Sequence, residues 1–246
     1  MKKLKLISCE IFYREMCAAA ARSPCKVDIE FLRKGLHDLP CREMQQRVQE
    51  AVDRVAPGQY DAIVLGFALC NNGIAELQAR HTPLIIPRAH DCITLFLGGK
   101  ERYMDYFNTH PGVYFKTTGW IERSQSEGEL AQLSVQRKSG MDASYEEMVA
   151  KYGEDNAKYL REQLCNPVKN YSQLAFIEMG IEPGNHFEEQ TREEARQKGW
   201  RFEKITGDLS LIQRLLSGEW SDREFLTVPP GHRVAPSFDD NILKAE

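Results

Sequence analysis

Thiols and imidazoles recur at four places in the chain, each just after a short apolar run. They are Cys9 in "SCE", His37 in "RKGLHDLP", Cys70 in "GFALCNNG", and His90 with Cys92 in "PRAHDC". Thiolate and imidazole are the ligands that zinc prefers, and a catalytic zinc takes three of them and keeps one position open. Cys9, Cys70 and Cys92 alone would suit an iron–sulfur cluster with one open iron. No CxxC pair occurs, so a zinc ribbon or a thioredoxin-like motif is excluded, and a metal site must be assembled from distant segments. The mixture of histidine and cysteine favours zinc, with Cys9, His37, Cys70, His90 and Cys92 as candidate ligands. Arg88 and Asp91, in the same stretch as His90, are candidates to orient a substrate.

Each residue also has an ordinary structural explanation. A cysteine that ends an apolar strand is usually core, and a histidine beside an aspartate can simply open a helix. "HDLP" reads equally as a turn into a helix bounded by Pro40. Cys17 and Cys165 fall inside helical patterns and Cys25 follows Pro24, so no role is assigned to them. Cys41 stands near a helix start, where the dipole lowers a thiol pKa.

Two further loops are candidate binding elements. Asn71, Asn72 and Gly73 complete the loop after Cys70, and Gly207–Asp208 opens a helix whose amides could hold an anionic group. An ordinary capped helix explains the second loop as well. Neither "GFALCNNG" nor "FLGGKERY" has the spacing of a nucleotide fingerprint, although Lys100 and Arg102 beside Gly98–Gly99 could meet an anion.

The elements that position these loops alternate along the chain. Strand-like runs fall at 3–9, 26–32, 60–68, 82–89 and 112–119, and again at 172–180, 200–207 and 224–231. Helical patterns occupy 42–56, 74–80, 94–110, 144–164, 188–199 and 208–218, with a further one after Glu10. Ser144 and Glu147 have the spacing of a capping box. Such alternation predicts parallel sheets with helices on both faces, and ligands then gather beyond the carboxyl ends of the strands. A polar stretch at 121–143 interrupts the pattern. The expected architecture is therefore α/β, with two Rossmann-like lobes, 1–120 and 144–246, and a cleft at their strand carboxyl ends. The tail after Gly231 is expected to cross back to the first lobe.

The 246 residues suffice for such a pair of cores, and 28% charged with 42% apolar residues is ordinary for a globular chain. A net charge of -4 gives no reason to expect a nucleic acid or an anionic membrane as partner. No apolar run approaches the roughly 20 residues of a membrane span, and the start lacks a signal-peptide core. With seven cysteines, an odd number, and no secretion signal, the thiols are expected to be reduced and the protein cytosolic.

"GFALCNNG", "PRAHDCITLFLGGKERY", "PGVYFKTTGW" and "GDLSLIQRLLSGEW…FLTVPPG", in that order, resemble the domain-of-unknown-function 1638 family. "GLHDLP" is similar to a recurring Leu-His-x-x-Pro element of that family, which strengthens His37 as a ligand. "CNNG" departs from the expected Cys-Gly-Asn-Gly loop, so the Asn71 side chain narrows the approach. The resemblance implies an association with corrinoid-dependent methyltransferases. The expected function is thus a zinc site serving methyl or one-carbon transfer, with a small substrate or cofactor in the cleft. The alternative is an iron–sulfur or corrinoid carrier that serves a corrinoid protein or methyltransferase partner. A metal-free pair of acid/base thiols, as in two-lobed racemases, ranks last, because the second lobe offers only Cys165.

Overall fold

The computed structural model describes residues 1–70, 72–123, 145–163 and 171–246. Cys165, Ser144, Asn71 and most of the polar connection lie outside the described residues. β1 (Lys3–Cys9), β2 (Lys26–Leu32), β3 (Ala62–Gly66) and β4 (Leu84–Pro87) are the four strands expected at the start of the chain. They form one parallel set in the order β2-β1-β3-β4, with Leu6 opposite both Ile29 and Val64. β1, β3 and β4 supply near-continuous buried apolar side chains, as strands covered on both faces must.

α1 (Tyr13–Arg22) is rich in alanine and stops before Ser23–Pro24. α2 (Cys41–Asp53) starts after Pro40 and buries Met44, Val48, Ala51 and Val52, a stripe of helical period. The run expected as one helix over 94–110 is two, α3 (Cys92–Phe96) and α4 (Lys100–Thr109). Gly98, at φ 81, turns the chain between them in a conformation that disfavours side chains.

β5 (Val113–Thr117), β6 (Gln173–Glu178) and β7 (Arg201–Thr206) make a second parallel sheet, in that order. α5 (Thr118–Glu122) follows β5 directly. α6 (Tyr145–Tyr152) and α7 (Glu154–Gln163) replace the single helix expected over 144–164, with Gly153 at φ 79 dividing them. α8 (His186–Lys198) and α9 (Ser210–Ser217) follow β6 and β7.

The connectivity corrects the expected boundaries. The sequence pattern puts β5 in the first lobe, but Val113–Thr117 pairs with Gln173–Ile177 of β6. It puts β8 (Phe225–Val228) in the second, yet this strand joins the first sheet antiparallel to β4, with Ile86 opposite Leu226. The chain therefore leaves the first sheet at β5 and returns to it at β8. One core of buried apolar residues runs from Leu4 and Val64 through Val113 and Ile177 to Leu215 and Val228.

The tail does reach back to the first sheet's segments. β9 (Val234–Pro236) and β10 (Leu243–Ala245) form a hairpin, and Glu76 and Ala79 donate their amides to the Val234 and His232 carbonyls at 2.8 and 3.0 Å. Those bonds replace the helix expected at 74–80, because the amides that would have closed helical turns pair with the tail instead. Arg88 holds the arrangement from the other side. Its Nε donates to the Asp222 carbonyl at 2.7 Å, and Nη1 donates to those of Asn241, at 2.8 Å, and Leu243. Replacing Arg88 with Gln should destabilise the fold by about 1–3 kcal/mol, read as a lower denaturation midpoint in urea, since three carbonyls lose a charged donor. An unchanged midpoint would show that the tail needs no such clamp.

Candidate functional site

The backbone pairing of β3 and β4 continues past their ends. Leu69 donates to the Ala89 carbonyl at 2.9 Å and Cys70 to that of His90 at 3.0 Å, which sets Cys70 against the 90–92 segment. Cys70 is at φ 46 and Asn72 at φ 62, so the chain doubles back immediately. Cys92 is the first residue of α3, whose amides at Ile93 and Thr94 are capped by Asp91 Oδ1 at 3.0 and 3.4 Å. The second Asp91 oxygen accepts from the Tyr103 hydroxyl at 2.7 Å.

Cys9 ends β1 almost fully buried, and its Sγ lies 3.4 Å from His37 Nε2. His37 stands in the 3-10 turn Lys34–Asp38 that follows β2. The ends of the four adjacent strands thus lie side by side on one edge of the sheet. Electrostatics tie the groups there together. Burial pushes the Cys9 thiol up to about 12, and Cys92 adds to the shift. Burial likewise raises Cys70 to about 12, with Cys9 as the next cause. Cys92 lies well above its ordinary range, through burial and then Cys70. His37 is lowered by burial, which favours the neutral ring. With Cys9 and Cys92 buried and Cys70 and His37 half-buried, the surroundings favour the protonated thiols and the neutral imidazole. Among the described residues no group of three His, Cys, Asp or Glu side chains stands at metal-ligating spacing.

Trp120 and Lys34 complete the pocket, and the sequence motifs do not point to either. Trp120 lowers the Cys92 thiol against the larger upward effect of burial, and its ring centroid is 6.4 Å from that of His37. Lys34 Nζ lies 4.4 Å from the centre of the Trp120 ring, and its pKa is lowered by burial. Trp120 follows β5 as the cysteines follow β1, β3 and β4. Counting strand ends into the second sheet would have found it.

The remaining candidates have other surroundings. His90 is exposed and lines a separate cavity of about 550 Å³ with Tyr103, Met104 and Ile242. Its imidazole is not brought to the buried thiols; only its backbone carbonyl meets Cys70. Arg88, expected to orient a substrate, is engaged with the Asp222 carbonyl and with the tail carbonyls of Asn241 and Leu243. The Asn72 carbonyl accepts from Gln45 Nε2 at 2.9 Å and from the Cys41 thiol at 3.3 Å. Gly73 packs against Met44 and Gly207 against Met179, so closely that a Cβ at either would collide with sulfur. Asp208 accepts from its own helix at Ser210 N, 2.8 Å away, and its amide donates to the Phe96 carbonyl at 2.9 Å. Gly207–Asp208 therefore joins the end of β7 to the end of α3 and caps α9.

Residues 31–216 match the family model described as Protein of unknown function (DUF1638). The chain belongs to the DUF1638 family. The matched span contains His37, Cys70, Cys92 and Trp120 and begins after Cys9. No curated protein and no solved structure matches the chain.

The pocket's electrostatics set an order of thiol reactivity. A thiol at about 12 rather than its ordinary 9 carries about a thousandfold less thiolate at neutral to mildly basic pH. Iodoacetamide at pH ~8 should therefore label the partly exposed Cys41 before Cys9, Cys70 and Cys92 in the folded protein, as read by peptide mass spectrometry. Labelling of Cys9 or Cys92 first would contradict that order.

Proposed function

We propose that this DUF1638 protein binds a metal ion, zinc, through Cys9, Cys70, Cys92 and His37, and that the site serves methyl or one-carbon transfer to a small substrate. The observation that carries the metal reading is the Cys9–His37 pair, with Cys92 near enough to raise the Cys9 thiol and Cys9 near enough to raise that of Cys70. Zn–S near 2.3 Å and Zn–N near 2.0 Å, at a tetrahedral angle, separate two ligands by about 3.5 Å. Cys9 Sγ and His37 Nε2 are 3.4 Å apart. The neutral His37 ring is the form that binds a metal, and the three thiols would release their protons on binding. His90, Arg88 and Gly207–Asp208 are not part of this site.

With four protein ligands the zinc has no open position, so a substrate thiol would have to displace one of them; the metal's charge would then lower that thiol's pKa, making it a nucleophile for a methyl group held by a corrinoid-type donor. The chain's own contributions are positional. Asp91 fixes the helix that begins with Cys92, Tyr103 fixes Asp91, and Trp120 stands beside His37. In this reading the strand ends of the two sheets form the walls of a cleft between two Rossmann-like lobes. Contacts between the segments after β1 and β5, and between Asp208 and Phe96, support that arrangement. A corrinoid protein or its methyltransferase is the proposed partner.

The test is metal analysis of protein purified without oxygen. One zinc per chain is expected, and Cys9→Ser or Cys92→Ser should each weaken it about tenfold or more. A brown protein with iron and sulfide would replace zinc by a cluster. No stoichiometric metal, with Cys92→Ser indistinguishable from the parent, would refute the reading.

A further inference from the structure

The glycine pair that divides α3 from α4 borders a cavity of about 380 Å³, whose walls include Arg88, Gly99, Lys100, Glu101, Arg223 and Glu224. Both carboxylates there already have cationic partners. Glu101 accepts from Arg223 Nη2 at 2.7 Å, and Glu224 accepts from Arg214 Nε and Nη2 at 2.9 and 2.6 Å. Arg88 and Lys100 are held differently. Arg88 gives Nε and Nη1 to backbone carbonyls, and Lys100 Nζ donates to the Asp240 carbonyl at 2.7 Å. A carbonyl fixes a cation in place without neutralising it. Among the described residues neither cation forms an ion pair with a carboxylate. Burial lowers the Arg88 pKa, and Asp222 and Asp239 oppose that only from beyond ion-pair distance. Asp239 is itself taken up by the Ser237 hydroxyl and by Asn241.

Two fixed positive charges are thus left without counter-ions beside one cavity, and that balance suits a dianion. We propose that this cavity binds a phosphate group, held by Arg88 and Lys100 and closed over by Arg223 from the segment before β8. Arg88 retains Nη2 and Lys100 two further N–H donors for it. Gly99 offers α4 no capping side chain, so the helix adds its positive end. Arg102 takes no part, because its Nη2 donates to the Thr206 carbonyl. Lys100, Glu101 and Arg223 also line the cavity of about 550 Å³ that holds His90, so the two spaces adjoin. Tyr103, Met104 and Ile242 in the second leave room for an uncharged organic group, while Asp105 and Asp240 would repel a second anion. The phosphate is therefore free or carried as a monoester. The cavity is separate from the thiols and does not rest on the proposed function.

Isothermal titration calorimetry with inorganic phosphate at pH ~8, where the anion is doubly charged, is the test. Sodium chloride at matched ionic strength is the control, and phenyl phosphate is the second probe. Saturable binding of phosphate is expected, and none of chloride. Tighter binding of phenyl phosphate assigns the ligand as an ester whose organic part enters the adjoining cavity; equal or tighter binding of inorganic phosphate assigns the free anion. Lys100→Gln should weaken phosphate about tenfold or more, and Lys100→Arg should retain it. Arg223→Gln, at an exposed position, should weaken it about two- to fivefold whatever Lys100 contributes to folding. Glu101→Gln, which releases Arg223, should tighten it by a similar factor, whereas loss of a merely structural ion pair would not. No saturable phosphate binding, parental affinity in both Lys100→Gln and Arg223→Gln, or weaker binding in Glu101→Gln would overturn the site. Titrations on protein as purified and after chelation keep this result independent of the zinc reading.

Discussion

The hydrogen bonds that carry β3 and β4 beyond their strands, Leu69 to Ala89 and Cys70 to His90, are the constraint on which the rest of the site depends. They lock the loop after one strand to the loop after the next. Parallel pairing of β1 with both β2 and β3 does the same for Cys9 and the His37 turn. Four loops that are remote in sequence are thereby given one depth and one side, which is why ligands in open parallel sheets collect there. Removing a thiol changes the chemistry of this pocket, whereas slipping the β3–β4 register would dissolve it.

Burial then decides the state of the groups so assembled. Thiols in a low-dielectric pocket keep their protons, and each further thiol makes ionisation of its neighbour harder. The same features that suppress thiolate in the absence of a cation would favour a divalent cation strongly once it enters, since its charge reverses the local balance. The second sheet also reaches the site: the tight Gly119–Ile11 approach brings in α5, whose Trp120 ring lies 6.4 Å from that of His37. The two sheets are coupled through the site as well as through the shared core.

Much of this is legible in the sequence. Apolar strand patterns locate the eight principal strands, and the residues just beyond the first four of them include Cys9, His37, Cys70 and Cys92. Those positions depend on a period of two and a parallel topology, both local signals. His90 is misplaced by the sequence pattern because adjacency in "PRAHDC" does not fix direction. Residues two apart in an extended segment face the same way, but the turn into α3 sends His90 outward and Cys92 inward. Arg88 and the 74–80 segment depart from expectation for a different reason. Both are governed by the C-terminal hairpin, whose carbonyls and amides take up the Arg88 guanidinium and the Glu76 and Ala79 backbone. Such pairings span more than 150 residues for Arg88 and leave no local trace. The exchange of β5 and β8 between sheets is hidden likewise, since both strands carry the apolar pattern that either sheet would accept.

The central claim is that thiols and one imidazole from four strand ends surround one metal ion. X-ray absorption at the zinc edge of the anaerobically purified protein tests it most directly. The predicted result is a shell of three sulfurs at about 2.3 Å with one imidazole nitrogen at about 2.0 Å. A shell of oxygen and nitrogen alone, without sulfur, would contradict it.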